Sequence, residues 1–119
     1  MDRTILIVED RDSISEVIGE MLTLNGWNVV GRASSGEEAL EMFRERRPGT
    51  VLMDILLPDM SGLDAARDML REAPECRIFA MSAMTEPGIR ERVLDAGCRE
   101  LLVKPFRMRE LVGLLEDDL

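Results

Sequence analysis

Five residues scattered along the chain carry groups that could do chemistry together: Glu9, Asp10, Asp54, Ser82 and Lys104. Asp54 closes the apolar run Val51, Leu52, Met53, and a carboxylate beside a buried strand is costly unless it is paired, metal-bound or at the strand's end. Singly, each residue has an ordinary explanation. Glu9 and Asp10 could cap the next helix, and Asp54 could open the turn marked by Pro58 and Gly62. Ser82 could be a helix N-cap, and Lys104 a solvated surface lysine. Together they form a different set. Three carboxylates in one place repel, so one takes a proton or a cation sits among them. Their oxygens suit Mg2+, which keeps several waters and binds through one or two carboxylates plus a phosphate. The ammonium supplies a point charge for a phosphoryl group, and the hydroxyl can reach a phosphoryl oxygen. A carboxylate can itself be the nucleophile and become an aspartyl phosphate. The chemistry that uses all five is phosphoryl transfer to Asp54, assisted by Mg2+.

Whether these groups meet depends on the elements between them. Ile5 to Val8 is a short continuous apolar run, suited to a strand buried on both faces and ended by Glu9 and Asp10. Ser13 and Glu16 have the spacing of a capping box, followed by Ile14, Val17, Ile18, Met21 and Leu22 at helical spacing up to Asn25-Gly26. A weaker strand, suited to a sheet edge, is predicted within Trp27 to Arg32. Ser35 and Glu38 repeat the capping spacing before a helix closed by Pro48-Gly49. Thr50 to Asp54 is predicted as the third strand, and Leu63, Ala66, Met69 and Leu70 as a helix ending before Pro74. Arg77 to Ser82 carries the fourth strand. Ile89, Val93 and Leu94 lie on a helix ended at Gly97. Leu101 to Val103 is the fifth strand, and Leu111 to Leu115 lie on the last helix. Such alternation argues for an α/β fold, a parallel sheet covered by helices on both faces. In such sheets ligands bind beyond the carboxyl ends of the strands. Glu9-Asp10, Asp54, Ser82 and Lys104 end four different strands.

Composition narrows the class. A length of 119 residues, 45% hydrophobic and 33% charged, fits one soluble globular domain over residues 1–119. No apolar run approaches membrane-spanning length, and the start MDRTILIVED is not a signal peptide, so a cytoplasmic location without membrane contact is expected. The net charge of -9, from 15 Lys and Arg against 24 Asp and Glu, disfavours direct nucleic-acid binding. There is no histidine, and Cys76 and Cys98 are isolated, which argues against zinc; Cys98, in the small-residue context DAGC, reads as a packed thiol, and a redox role is the sharper but less favoured reading for either cysteine. Aromatics are only 3%, too few for a pocket that stacks bases or flavin.

The segments ILIVED at 5–10, MDILLPDMSG at 53–62, MSA at 81–83 and LVKPF at 102–106 resemble, in this order and spacing, the receiver domain of two-component response regulators. The resemblance covers essentially the whole chain. It implies a flavodoxin-like, doubly wound, five-stranded parallel sheet of order 2-1-3-4-5 with five helices. It implies that Asp54 is the phosphoacceptor, that Asp10 contacts Mg2+ directly and Glu9 mainly through water, and that the Leu56 backbone carbonyl completes the metal site. Ser82 would bond the phosphoryl group, Lys104 would pair with it, and the Lys104-Pro105 peptide would be cis. Ala83, Met84 and Leu101 would form the switch region. The donor would be a histidine kinase or phosphotransfer protein. An output partner of unknown identity would read the fourth helix, fifth strand and fifth helix, roughly Met84 to Leu115, a face that could also join two copies. The implied role is a phosphorelay signalling switch rather than an enzyme, assisting its own phosphorylation and dephosphorylation. Two positions depart from the family's habit. Leu101 stands where Tyr or Phe is common, so the usual aromatic switch is absent or altered. Ser82 stands where Thr is also frequent and lacks its stiffening β-branch. Two rival classes share the fold. A flavodoxin-type electron carrier would need hydroxyl and glycine donors after strand one, where Glu9 and Asp10 would repel a flavin phosphate. A receiver-like module that binds partners without phosphorylation would not need all five site residues.

Overall fold

Five apolar runs become five strands: β1 (Thr4–Val8), β2 (Asn28–Ala33), β3 (Thr50–Asp54), β4 (Arg77–Ser82) and β5 (Glu100–Val103). Between and after them run α1 (Asp12–Leu24), α2 (Gly36–Arg46), α3 (Gly62–Glu72), α4 (Ile89–Asp95) and α5 (Met108–Asp117). The structure is a computed structural model and describes residues 2–84, 86–117 and 119. All strand pairs are parallel, in the order β2-β1-β3-β4-β5. The order expected from the resemblance is therefore the one observed, with the weaker β2 at an edge. Chain direction across the sheet reverses between β1 and β3, which makes their carboxyl ends the switch point where such folds bind ligands.

Side chains alternate across a strand, and here both faces are apolar. Leu6, Val8, Val51, Met53, Ile78 and Ala80 pack with α2, α3 and α4 residues such as Phe43, Met69 and Val93. Ile5, Ile7, Leu52, Phe79 and Met81 pack on the other face with Ile18 and Leu22 of α1 and Leu111 and Leu115 of α5. Each of these Val, Leu, Ile, Phe and Met side chains contributes about 1.5–3 kcal/mol by leaving water. Burial on both faces is why the inner strands read as continuous apolar runs rather than alternating ones.

Two local expectations need correction. The Ser13–Glu16 spacing does not cap α1. That helix begins at Asp12, and its N-cap is Arg11, with no side-chain cap bond. The Arg11 carbonyl accepts from the amides of both Ile14 and Ser15, so Ser13 already lies inside the first turn. The second strand starts inside the expected stretch but extends one residue past it, Asn28–Ala33, while Trp27 is buried beneath Arg3 and Arg77, whose guanidinium carbons lie 5.3 and 5.9 Å from its ring centre. The Ser35 cap is present: its hydroxyl accepts from the Glu38 amide at 3.1 Å. The reciprocal bond goes one residue further back, from the Ser34 amide to Glu38 at 2.7 Å.

Candidate functional site

The sheet's hydrogen-bond ladder carries the site residues to one edge. The Glu9 amide bonds the Ala33 carbonyl at 3.0 Å, the Ile55 amide bonds the Met81 carbonyl at 3.0 Å, and the Lys104 amide bonds the Ser82 carbonyl at 2.8 Å. Each bond lies at or just beyond a strand's last residue, so the backbones beneath Glu9, Asp54, Ser82 and Lys104 are fixed by the same network that builds the sheet. Asp54 is buried, at 6% exposure, although ionisable. Its Oδ1 accepts from the Leu56 amide at 3.0 Å, and its Oδ2 accepts from Lys104 Nζ at 2.7 Å. Glu9, 1% exposed, also accepts from Lys104 Nζ, while its Oε2 accepts from the Arg11 amide at 3.1 Å. One cation thus serves two buried carboxylates, the pairing that makes their burial tolerable. Burial alone would lower the Lys104 ammonium. Its hydrogen bonds to Asp54 and Glu9, with their charges, outweigh that and hold it above the ordinary lysine range.

Asp10 is exposed at the mouth of the cluster. One carboxylate oxygen each from Glu9, Asp10 and Asp54 lie within 4.8 Å of one another. All are hard oxygen donors, without a nitrogen or sulfur among them, and such a set fits Mg2+ better than a transition metal. Ser82 is buried at the end of β4, and its hydroxyl accepts from the Met84 amide at 3.0 Å, which leaves its own hydrogen free to donate.

The loop after Asp54 is built tightly. Leu56 and Ser61 form an isolated antiparallel bridge, and the Gly62 amide bonds the Ile55 carbonyl at 2.7 Å. A Cβ at Gly62 would come within 2.0 Å of the Asp54 carbonyl oxygen, so only glycine lets α3 start this close to the carboxylate. Ser61 caps α3 through the Leu63 amide at 3.2 Å. Asp59 reaches sideways and accepts from the amides of Gly36 and Glu37, at 2.8 and 2.9 Å, at the start of α2. Those two bonds hold its carboxyl below the usual range. Sequence reasoning marked Gly62 only as a loop residue and passed over Asp59. The close approach at Gly62 and the partners of Asp59, 23 and 22 residues away, leave no local pattern.

Ala83 and Met84 lie in the exposed stretch after β4, and α4 begins only at Ile89. Leu101 on β5 is half-buried and packs against the core on the α2–α4 side. The Lys104-Pro105 peptide is cis. The Leu56 side chain is exposed, leaving its backbone in the turn beside Asp54. Cys76 and Cys98 are free, buried thiols. A cavity of about 360 Å3, lined by Asp2, Arg47, Cys76 and Arg77 among others, lies at the opposite end of the sheet from the carboxylates.

Comparison with known proteins points the same way. The family model of the response regulator receiver domain matches residues 5–116. The chemotaxis protein CheY of Thermotoga maritima is 33% identical over 115 residues, covering 97% of this chain and 96% of that protein. The response regulator GacA of Pseudomonas syringae pv. syringae is 38% identical over 109 residues, 91% of this chain but 51% of that protein, so the chain spans about half of GacA's length. Among solved structures, the chemotaxis protein CheY4 of Vibrio cholerae superposes with a TM-score of 0.92 at 25% identity, covering 100% of both chains. With the carboxylate cluster at the carboxyl ends of β1 and β3 and a family match over nearly its full length, the chain belongs to the response regulator receiver domain family.

Proposed function

We propose that this chain is a single receiver domain over residues 1–119 that takes a phosphoryl group onto Asp54 from a phosphohistidine of a kinase or phosphotransfer protein. The observation that carries this reading is the convergence on Asp54: Lys104 bridges it to Glu9, and Asp10 offers a third oxygen within 4.8 Å. Mg2+, held by Asp10, Asp54 and the Leu56 carbonyl with Glu9 acting mainly through water, would supply positive charge against the phosphoryl oxygens. The chain's own residues do the rest. An Asp54 carboxylate oxygen forms the new P–O bond as the donor's P–N bond breaks, and the leaving imidazole keeps the electron pair and picks up a proton. The Lys104 ammonium, already beside Oδ2, pairs with the transferred group's oxygens. The Ser82 hydroxyl turns its free hydrogen to one of them. The domain thereby assists its own phosphorylation, and later its own dephosphorylation, without acting on a separate substrate.

The switch would follow from that Ser82 movement. Ser82 holds the Met84 amide, so drawing its hydroxyl toward a phosphoryl group pulls on the loop leading to α4. The face of α4, β5 and α5 exposes Met84, Leu94 and Val103, apolar side chains fit for an output partner or a second copy. Among the described residues no helix is long and apolar enough to cross a membrane. With the net charge of -9 this favours a cytoplasmic protein partner over nucleic acid or lipid. Incubation with a small acyl-phosphate donor and Mg2+, followed by intact mass measurement, tests the reading. The wild-type chain gains one phosphoryl group, and Asp54→Asn gains none. An equal gain in both would refute it.

A further inference from the structure

We propose that Asp59 is a positioning residue for phosphoryl transfer: it clamps the loop beside Asp54 to the start of α2 and so holds the backbone that completes the site. The inference rests on Asp54 being the phosphoacceptor. The loop from Ile55 to Ser61 has two limbs. Ile55 and Leu57 are buried and anchor the first limb in the core. Pro58 and Asp59 are exposed, so on the outer limb only Met60 packs against the core, with the Leu56–Ser61 bridge closing the loop's base. The link from this limb to the start of α2 is polar. Asp59 Oδ1 accepts from the Gly36 amide at 2.8 Å and Oδ2 from the Glu37 amide at 2.9 Å. These are donors that a helix's first turn leaves without an internal partner. Ser35 takes a third, the Glu38 amide, so the two residues divide the end of α2 between them. The contact is also closed sterically: a Cβ at Gly36 would lie 2.3 Å from Met60 Cγ, so α2 meets the loop directly at Met60. Movement of the outer limb passes straight to Leu56, whose amide bonds Asp54 Oδ1 and whose carbonyl is the expected metal contact.

Ser35 provides the control that separates a clamp from a mere helix cap, because its hydroxyl caps the same helix through the Glu38 amide rather than through a loop residue. The experiment measures two quantities in the full chain: hydrogen exchange at the Leu56 and Gly62 amides, and the rate of phosphorylation by acetyl phosphate with Mg2+. Asp59→Ala is expected to speed exchange at both amides and slow phosphorylation roughly tenfold, the scale of losing a group that orients a metal contact. Asp59→Asn keeps one acceptor oxygen, is expected to lie between, and serves if the alanine variant does not fold. Ser35→Ala is expected to leave both quantities at wild-type values while lowering the melting temperature. The clamp is overturned if Asp59→Ala leaves exchange and rate unchanged, or if Ser35→Ala reproduces its effects. If the wild-type chain itself takes no phosphoryl group, the reading of Asp54 fails instead, and the exchange measurement alone decides whether the clamp exists.

Discussion

Asp10 differs from its two carboxylate neighbours in that Lys104 serves Glu9 and Asp54 but Asp10 stands exposed. It is therefore the carboxylate most available to an incoming cation. Asp10→Asn should weaken Mg2+ binding roughly tenfold or more, the loss that accompanies removal of even an outer-sphere contact. Calorimetric titration measures this, and unchanged affinity would remove Asp10 from the metal site. The thiols give a second residue-level expectation. Burial pushes Cys76 up to about 12 and Cys98 up to about 11. An unfolded cysteine loses its proton near pH 8.5. Above that pH the unfolded chain binds fewer protons than the folded one, so stability is lost as pH rises from about 8.5 toward the folded values. Below that window the thiols' contribution is complete. Urea midpoints between pH 8 and 11 should therefore fall less steeply for Cys98→Ala than for wild type, and iodoacetamide at neutral pH should label neither thiol before unfolding. Fast native labelling would restore the redox reading set aside from the sequence.

At the scale of elements, the start of α3 is where substitution should cost most. Gly62→Ala places a methyl 2.0 Å from a backbone oxygen that no rotamer change can clear, so we expect a loss of about 3 kcal/mol, the upper range for overpacking. Ser35→Ala removes one N-cap bond and should cost about 1 kcal/mol. Denaturant midpoints compare the two, and a Gly62→Ala variant as stable as Ser35→Ala would show that the loop gives way easily. The capping spacings also show what sequence can and cannot reveal. Ser13–Glu16 and Ser35–Glu38 look alike as strings, yet only Ser35 caps. Where α1 starts depends on how the chain leaves β1. There Glu9 is held by the amide of Arg11, two residues on, and by Lys104, 95 residues away. Strands, helices and strand-end residues were legible because burial on both faces forces continuous apolar runs and a carboxylate among them stands out. Asp59 and Gly62 were not, because their roles depend on approach between elements distant in sequence or on a backbone contact that composition does not encode.

Across the whole molecule, the sheet separates a reactive edge from a structural one. Trp27 sits at the amino end of the sheet under Arg3 and Arg77, away from the carboxylates. Its fluorescence should stay constant while Mg2+ is titrated, and a saturable change would mean that the two edges communicate. Signal should travel sideways instead, through Ser82 to α4. Leu101 has no ring to rotate and packs into the core, so it cannot gate the face as an aromatic would. The short α4 is tied to β5 by a two-pronged Arg90–Glu100 ion pair at 2.8 and 2.9 Å, so a shift of the helix must rearrange that pair. Beryllofluoride with Mg2+ should move amide signals across residues 86–96. Changes confined to the loops around Asp54 and Ser82 would contradict this route. All of these expectations stand on one covalent event, and it can be located directly. The chain is phosphorylated with an acyl-phosphate donor and Mg2+, the acyl phosphate is trapped by borohydride reduction, and the modified residue is mapped by peptide mass spectrometry. Asp54 should carry the label alone among the 24 acidic residues; a label on Glu9, Asp10 or any other acid, or none at all, would contradict the assignment.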